Sequence, residues 1–278
     1  MAIEQRLEAY RPELTGYCYR MLGSAFEAED AVQDTLVRAW RGFDRFEGRA
    51  ALRSWLYRIA TNVCLTMLDS AQRRVRPMDL GPAGSGRATD PGEPRPDEIW
   101  VGPVPDSRLL PEAADPRTPL DDEQKALLAR YVSAFEAYDL TALTALLHDD
   151  ATLSMPPLPL WFRGTADITA WMAGTGSGCR GSRLLPVTAN GMPAFGQYRR
   201  SAGGTGHDPW ALIVLEISAG RITAVTNFLD TARLFPLFGL PPHLGQDVGQ
   251  ADQPQQPGQL RAGATDDELP AVPPGGQA

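Results

Sequence analysis

From Arg76 to Pro119 the chain reads PMDLGPAGSGRATDPGEPRPDEIWVGPVPDSRLLPEAADPRTP after the arginine, and proline and glycine recur too often for any helical or strand period to survive. Each proline removes a backbone donor and each glycine raises the entropic cost of order, so this stretch reads as an extended linker. It divides the chain into a part before residue 77 and a part from about residue 120. A length of 278 residues agrees with two folded domains of roughly 100–200 residues each. The expected layout is a helical domain over 1–76, a linker over 77–119, a second domain over 120–244 and a disordered tail over 245–278, where Gln, Gly, Pro and Asp dominate.

The first part is helical throughout. LEAYRPELTGYCYRMLG ends at Gly23, a C-terminal cap, and SAFE has the S-x-x-E form of a capping box that opens a second helix from about Ala25 to Phe43. Val32, Leu36, Trp40 and Phe43 form its apolar stripe, with Asp30, Asp34, Arg38 and Arg41 opposite. After the loop DRFEGRA, the segment RSWLYRIATNVCLTMLDSAQRR carries apolar residues at Leu52, Trp55, Leu56, Ile59, Ala60, Val63, Cys64, Met67 and Leu68, one buried helical face. Its other face holds Arg58, Thr61, Asn62, Asp69, Gln72 and Arg73. In the linker, Ile99, Trp100 and Val101 are apolar enough to tether it to a neighbouring surface.

The second part mixes periods. Leu127, Leu128, Tyr131, Val132, Phe135 and Tyr138 keep helical spacing, and a shorter helix ends near His148. ATLSMPP reads as a strand and TADITAWMAG as a short helix capped by Thr165. Three strand-like runs follow: RLLPVTANGMPAFGQYRR, DPWALIVLEISAG and RITAVTNFLD. The last two form a hairpin turning at Ala219 and Gly220.

A formal net charge of −8 argues against coating nucleic acid by bulk attraction, so phosphate contacts must come from a local patch such as Arg73, Arg74 and Arg76. The N-terminus lacks a basic start followed by an apolar core, and no stretch approaches the roughly 20 apolar residues of a membrane span, so a cytoplasmic protein with no membrane partner is expected. Cys18, Cys64 and Cys179 fit no metal or redox spacing, and His148, His207 and His243 are scattered. No metal and no cofactor is therefore expected. His148, Asp149 and Asp150 are the one acid and histidine cluster of the second part, and a polar turn explains them better than catalysis does.

EDAVQDTLVRAWRGFDRFEGRAALRSWLYRIATNVCLTML resembles region 2 of extracytoplasmic-function (ECF) RNA polymerase sigma factors, the small bacterial class of the sigma-70 family. The likeness runs from about Leu7 to Arg76 and joins the acidic helix, the F-x-G loop and the WLYRIATN helix in order. It implies that Asp30, Gln33, Asp34 and Arg38 dock on the β′ clamp helices of core RNA polymerase. The loop with Phe46, Gly48 and Arg49 would receive a base flipped from the promoter −10 element. Arg53, Arg58, Thr61, Asn62, Arg73 and Arg74 would lie on the non-template strand. These are the residue types that hold melted DNA, cations for phosphates and amides or hydroxyls for base edges. Alone, each is a residue of any solvated face, and Trp55 belongs to the packing; the joint pattern carries the reading.

Residues 121–240 resemble the SnoaL-like branch of the NTF2-like fold, an α+β cone of mixed sheet and helices, and sigma factors with such a fused domain form a subgroup. A multidomain protein is thus implied, an all-α region 2 bundle followed by an α+β cone. Met155, Trp161, Trp171, Tyr198, Trp210 and Phe228 are candidates to line a pocket for a small apolar ligand. One departure stands out: the second helical domain of this class, region 4, would stand between EAADPRT and PLDDEQKALL, which here abut. The expected function is that of a sigma factor whose cone regulates region 2. The alternatives are a decoy that binds polymerase without initiating and, less favoured, an enzyme built on the cone.

Overall fold

The computed structural model describes residues 3–46, 51–70, 74–88, 90–96, 100–109 and 120–245. Gly48, Arg49, Arg73, Ile99, the junction at 110–119 and the tail from 246 lie outside them.

Four helices form the N-terminal bundle: α1 (Ile3–Glu8), α2 (Arg11–Leu22), α3 (Ala25–Gly42) and α4 (Leu52–Ser70). Gly23 ends α2 with φ 68° and returns its N–H to the Tyr19 carbonyl. Ser24 caps α3, its hydroxyl accepting from the Glu27 N–H at 3.3 Å. The buried face of α3 runs through Ala28, Ala31, Val32, Thr35, Leu36 and Ala39. Small alanines let α2 and α4 approach closely, and they rotate the seam away from Trp40. Trp40 was expected in the stripe; it is instead 54% exposed and its Nε1 donates to Glu4 at 3.2 Å. On α4, Leu56, Ala60, Val63 and Cys64 are buried as the period predicts, whereas Leu68, also expected inside, is 39% exposed.

The linker is a docked strap. A single turn, α5 (Pro77–Leu80), follows Val75, which pairs with Trp100 in an isolated parallel bridge. Trp100 is buried as the tethering residue; its neighbour Val101 stays 41% exposed. Gly84 N–H donates to the Trp161 carbonyl at 2.7 Å, Gly86 N–H to Asp167 Oδ1 at 2.8 Å and Arg95 N–H to the Pro157 carbonyl at 2.9 Å. A Cβ on Gly86 would lie 2.1 Å from the Asp167 carbonyl oxygen. Gly86→Ala is therefore expected to lift this part of the strap and to cost about 1–2 kcal/mol. Faster limited proteolysis between residues 82 and 90 would report it, and an unchanged cleavage rate would count against a docked strap.

The C-terminal domain contains α6 (Asp122–Ala137), α7 (Leu140–Leu146), β1 (Leu147–Ser154), β2 (Trp161–Arg163), α8 (Thr165–Ala173), β3 (Arg183–Ala189), β4 (Met192–Arg200), β5 (His207–Ser218), β6 (Arg221–Phe228) and α9 (Thr231–Leu237). The strands make one six-stranded sheet ordered β2-β1-β6-β5-β4-β3. Only the β1–β6 pair is parallel. Asp121 and Gln124 close a capping box at the start of α6. Leu127, Tyr131, Phe135, Leu143, Ile168 and Trp171 from α6, α7 and α8 pack on one face of the sheet, against Leu153, Phe195, Ile213 and Leu215. On the other face, α9 sets Leu234 and Phe235 against Tyr198 and Leu212. With both faces covered, the centre of β5 is buried at every position from Ala211 to Leu215, hence its unbroken apolar run ALIVL.

Two readings need correction. The run RLLPVTANGMPAFGQYRR is two strands, because Asn190 and Gly191 take φ 56° and 66° and turn it into a hairpin. Thr165 is the first helical residue of α8; Gly164 holds the cap position, without a side-chain bond. After β6, TARLFPL forms α9, capped by Asp230. The hairpin at Ala219 and Gly220 stands as read.

Candidate functional site

The polar side of α3 faces solvent because its alanine face does not. Asp30, Gln33 and Arg38 are exposed and Asp34 is half-buried. Arg38 Nη2 pairs with Asp34 Oδ2 at 2.7 Å, one helical turn apart. Asp30 also stands in the wall of a crevice against the C-terminal domain, with Phe26 and Arg233.

On α4, Arg58 and Asn62 project outward. Arg53 Nε binds Glu13 at 2.5 Å, and its guanidinium lies 5.4 Å over the Tyr57 ring. Tyr57 donates to the same carboxylate at 2.5 Å, and burial followed by that bond holds its phenol above the ordinary range. Arg53 is thus steered by α2 while still mostly exposed. Phe46 sits on Trp55, ring centroids 4.9 Å apart, and Phe43 completes the cluster. This places the start of the 46–51 segment on a fixed aromatic floor and keeps Trp55 in packing, as the sequence indicated.

Two of the residues expected to face DNA are engaged within the protein. The Thr61 hydroxyl is half-buried, donating to the Tyr57 carbonyl at 2.7 Å and sharing a bond with Tyr17 Oη at 2.8 Å, so it ties α4 to α2. Arg74 has a side chain only 10% exposed. Its guanidinium pairs with Glu27 and bonds the Leu22 carbonyl, and Nη1 donates to the Trp100 carbonyl at 3.0 Å. These acceptors occupy the fork that a phosphate would need.

The seam between bundle and C-terminal domain was not foreseen. Asn190 Nδ2 donates to Tyr19 Oη at 2.6 Å, and its Oδ1 accepts from the Val104 N–H at 2.8 Å. Tyr19 in turn donates to the Gly102 carbonyl at 2.8 Å. One hairpin residue therefore joins sheet, strap and bundle. Beside it, Arg233 lies 4.0 Å over the Phe26 ring, and Arg108 pairs with Glu29 at 3.1 Å. The only sequence signals were the Asn-Gly pair and the isolated Trp100.

Of the candidate pocket residues, Met155, Trp171 and Trp210 line a cavity of about 290 Å³ between the sheet and its helices. Arg199 crosses it, 3.3 Å over the Trp210 ring, with Nη2 3.1 Å from Cys179 Sγ. Gln197, 2% exposed, donates to Ser182 Oγ at 3.1 Å. Trp161, Tyr198 and Phe228 do not join them. Trp161 Nε1 is bound to the Gly81 carbonyl at 3.0 Å, Tyr198 is packed on Phe235 on the far face, and Phe228 opens to the crevice at the bundle. Among the described residues lining the cavity there is no carboxylate to serve as a base, and Asp149 and Asp150 are exposed on β1.

A sigma-70 region 2 family model matches residues 7–74, and a SnoaL-like domain model matches residues 128–225. The chain is 33% identical to the ECF RNA polymerase sigma factor SigG of Mycobacterium tuberculosis over an alignment of 320 positions, gaps included, covering 85% of this chain and 83% of that one. It is 41% identical over 59 residues to the ECF RNA polymerase sigma factor SigW of Bacillus subtilis, covering 21% of this chain and 32% of that protein. In fold it is similar to the crystal structure of the Mycobacterium tuberculosis ECF sigma factor SigJ, with a TM-score of 0.51 at 18% identity, covering 85% of this chain and 99% of that one. A region 2 bundle joined to a SnoaL-like, NTF2-like cone, together with that identity to SigG over most of both chains, places the protein in the ECF RNA polymerase sigma factor family, as a factor for transcription initiation and not an enzyme.

Proposed function

We propose that the bundle docks on the β′ clamp helices of core RNA polymerase through Asp30, Gln33, Asp34 and Arg38, and presents Phe46, Arg53, Arg58 and Asn62 to the non-template strand of the −10 element. Gly48, Arg49 and Arg73 belong to this DNA-facing set by resemblance alone. The cone acts as an attached regulator in the cytoplasm, covering one end of the polymerase-facing helix in place of a separate inhibitor. The observation that carries this reading is the position of Asp30: the polar stripe of α3 begins in the wall of the crevice where Arg233 lies over Phe26. A partner that engages the whole stripe must share that end of α3 with the cone.

Arg233→Glu tests the regulator. It replaces the cation over Phe26 with an anion facing Glu27 and Asp30, loosening the seam while leaving α3 itself intact. Core polymerase is expected to bind the variant three- to tenfold more tightly in a fluorescence titration. Equal affinity for variant and parent would remove the cone from control of this surface.

A decoy is favoured by one specific observation. The alignment to SigG spans 320 positions, more than the 278 residues of this chain, as it must if SigG carries a block missing here. Loss of a domain such as region 4 would remove several base contacts of about 1–3 kcal/mol each and weaken promoter recognition accordingly. Run-off transcription with core polymerase separates the two: transcripts overturn the decoy, and binding without transcripts supports it.

A further inference from the structure

The cavity between the sheet and its helices holds a cation without a counterion. Arg199 lines it, and among the described residues no carboxylate stands in the same wall. Asp208, the register partner of Arg199 on β5, bonds His243 Nδ1 at 2.9 Å instead. The guanidinium lies flat on the Trp210 ring, 39% exposed at the mouth, and Nη2 is steadied by Cys179 Sγ at 3.1 Å. A planar fork fixed in this way is pre-set for a carboxylate.

A second polar group faces the same space. Gln197 is 2% exposed and lines the cavity; its amide nitrogen donates to Ser182 Oγ at 3.1 Å, and its carbonyl oxygen has no partner among the described residues. Buried polar side chains are rarely left half-satisfied. Neither this oxygen nor Arg199 Nη1, which also lacks a partner, is sealed in the packing, whereas Arg199 Nε is. The rest of the wall is apolar, with Phe135, Leu153, Met155, Trp171 and Leu229. A volume of about 290 Å³ suffices for one substituted ring, since roughly 150 Å³ already holds benzene.

The last piece of wall comes from outside the cone. Pro91 of the strap lines the cavity, and the strap is pinned on either side of it, by Thr175 Oγ1 donating to the Ala88 carbonyl at 3.2 Å and by Arg95 N–H on the Pro157 carbonyl at 2.9 Å. The cavity is complete only with the strap seated. We propose that it binds a small aromatic hydroxy acid, with the carboxylate on Arg199 and the ring hydroxyl donating to Gln197 Oε1, beneath the strap at Pro91. Ligand and strap then stabilise each other, because the ligand binds best where the strap is docked. The proposal goes beyond the polymerase and promoter reading and does not rest on it.

The test titrates the full chain, with 15N-labelled indoles, with 4-hydroxybenzoate. The Trp210 Nε1–H resonance, assigned by its absence in Trp210→Phe, is expected to shift saturably. 4-Hydroxybenzyl alcohol keeps the ring and hydroxyl without the carboxylate and should bind about tenfold more weakly, the worth of one hydrogen bond to a charged group. Benzoate, without the hydroxyl, should lose about fivefold, the worth of a neutral one. Arg199→Met keeps an apolar stem over Trp210; it should bind the alcohol as the parent does, which shows the cavity intact, and the acid no better than the alcohol. Bound acid should also slow tryptic cleavage after Arg87 about threefold, by holding the strap down. An unmoved Trp210 resonance, equal affinity of the parent for the acid and either analogue, a preference for the acid that survives in Arg199→Met, or cleavage unchanged by the acid would each overturn the proposal.

Discussion

Asp34→Arg is expected to weaken binding to core RNA polymerase about 100-fold, near 2.7 kcal/mol. The size follows from placing a cation where the proposed surface presents a carboxylate, a like-charge or unmatched contact that costs several kcal/mol in a desolvated interface. The fold should survive. Asp34 contributes to the bundle through its exposed pair with Arg38 at 2.7 Å, and pairs one turn apart on a helix are worth only about 0.3–0.5 kcal/mol. None of the residues that seat α3, from Ala28 to Ala39, is touched. Lys125→Glu, which reverses an exposed charge at the start of α6, serves as the control and should bind like the parent. Affinity of Asp34→Arg within twofold of the parent would take α3 out of the polymerase interface.

Arg74→Ala should act in the opposite place, on stability. Three acceptors converge on this guanidinium: the Glu27 carboxylate and the carbonyls of Leu22 and Trp100. Breaking a largely buried charge pair from one side leaves the other charge uncompensated, a loss of about 3 kcal/mol. For a folded unit of this size that is a fall of about 6–12 °C in Tm. Arg74→Lys should recover little of it, since a compact ammonium cannot serve three acceptors arranged around a planar fork. A variant with parental Tm but weakened −10 binding would return Arg74 to the DNA-facing surface.

The contrast between these two residues shows what a sequence can reveal. Asp34 and Arg38 are one helical turn apart, so their shared face follows from period alone. Arg74 looked like part of a basic patch because its neighbours Arg73 and Arg76 are arginines. What it touches depends on Trp100, 26 residues away in a stretch with no period. The same limit divided the aromatic candidates. Strand alternation says that Gln197 and Tyr198 point to opposite faces, but not which face holds the cavity. A register shift in the β4–β5 pairing falls between those two residues. The helices of the bundle, with Gly23 and Ser24 at their ends, were readable because caps and period are local. The seam through Asn190 and Tyr19 joins residues 171 apart and left no local trace beyond the turn itself.

The strap from Arg74 to Leu109 bonds to both domains, and this changes how strong the seam has to be. Two separate proteins meeting through Asn190, Arg233 and Arg108 would part readily at cellular concentrations. Carried on one chain, they meet at an effective concentration on the order of millimolar, so even a contact with millimolar intrinsic Kd would be closed about half the time. Each tenfold gain in that contact adds about 1.4 kcal/mol to the closed form. On the proposed regulatory reading, a shield built this way is always present in a one-to-one ratio with what it covers. It can stay weak enough for polymerase to displace without any inhibitor being degraded or released.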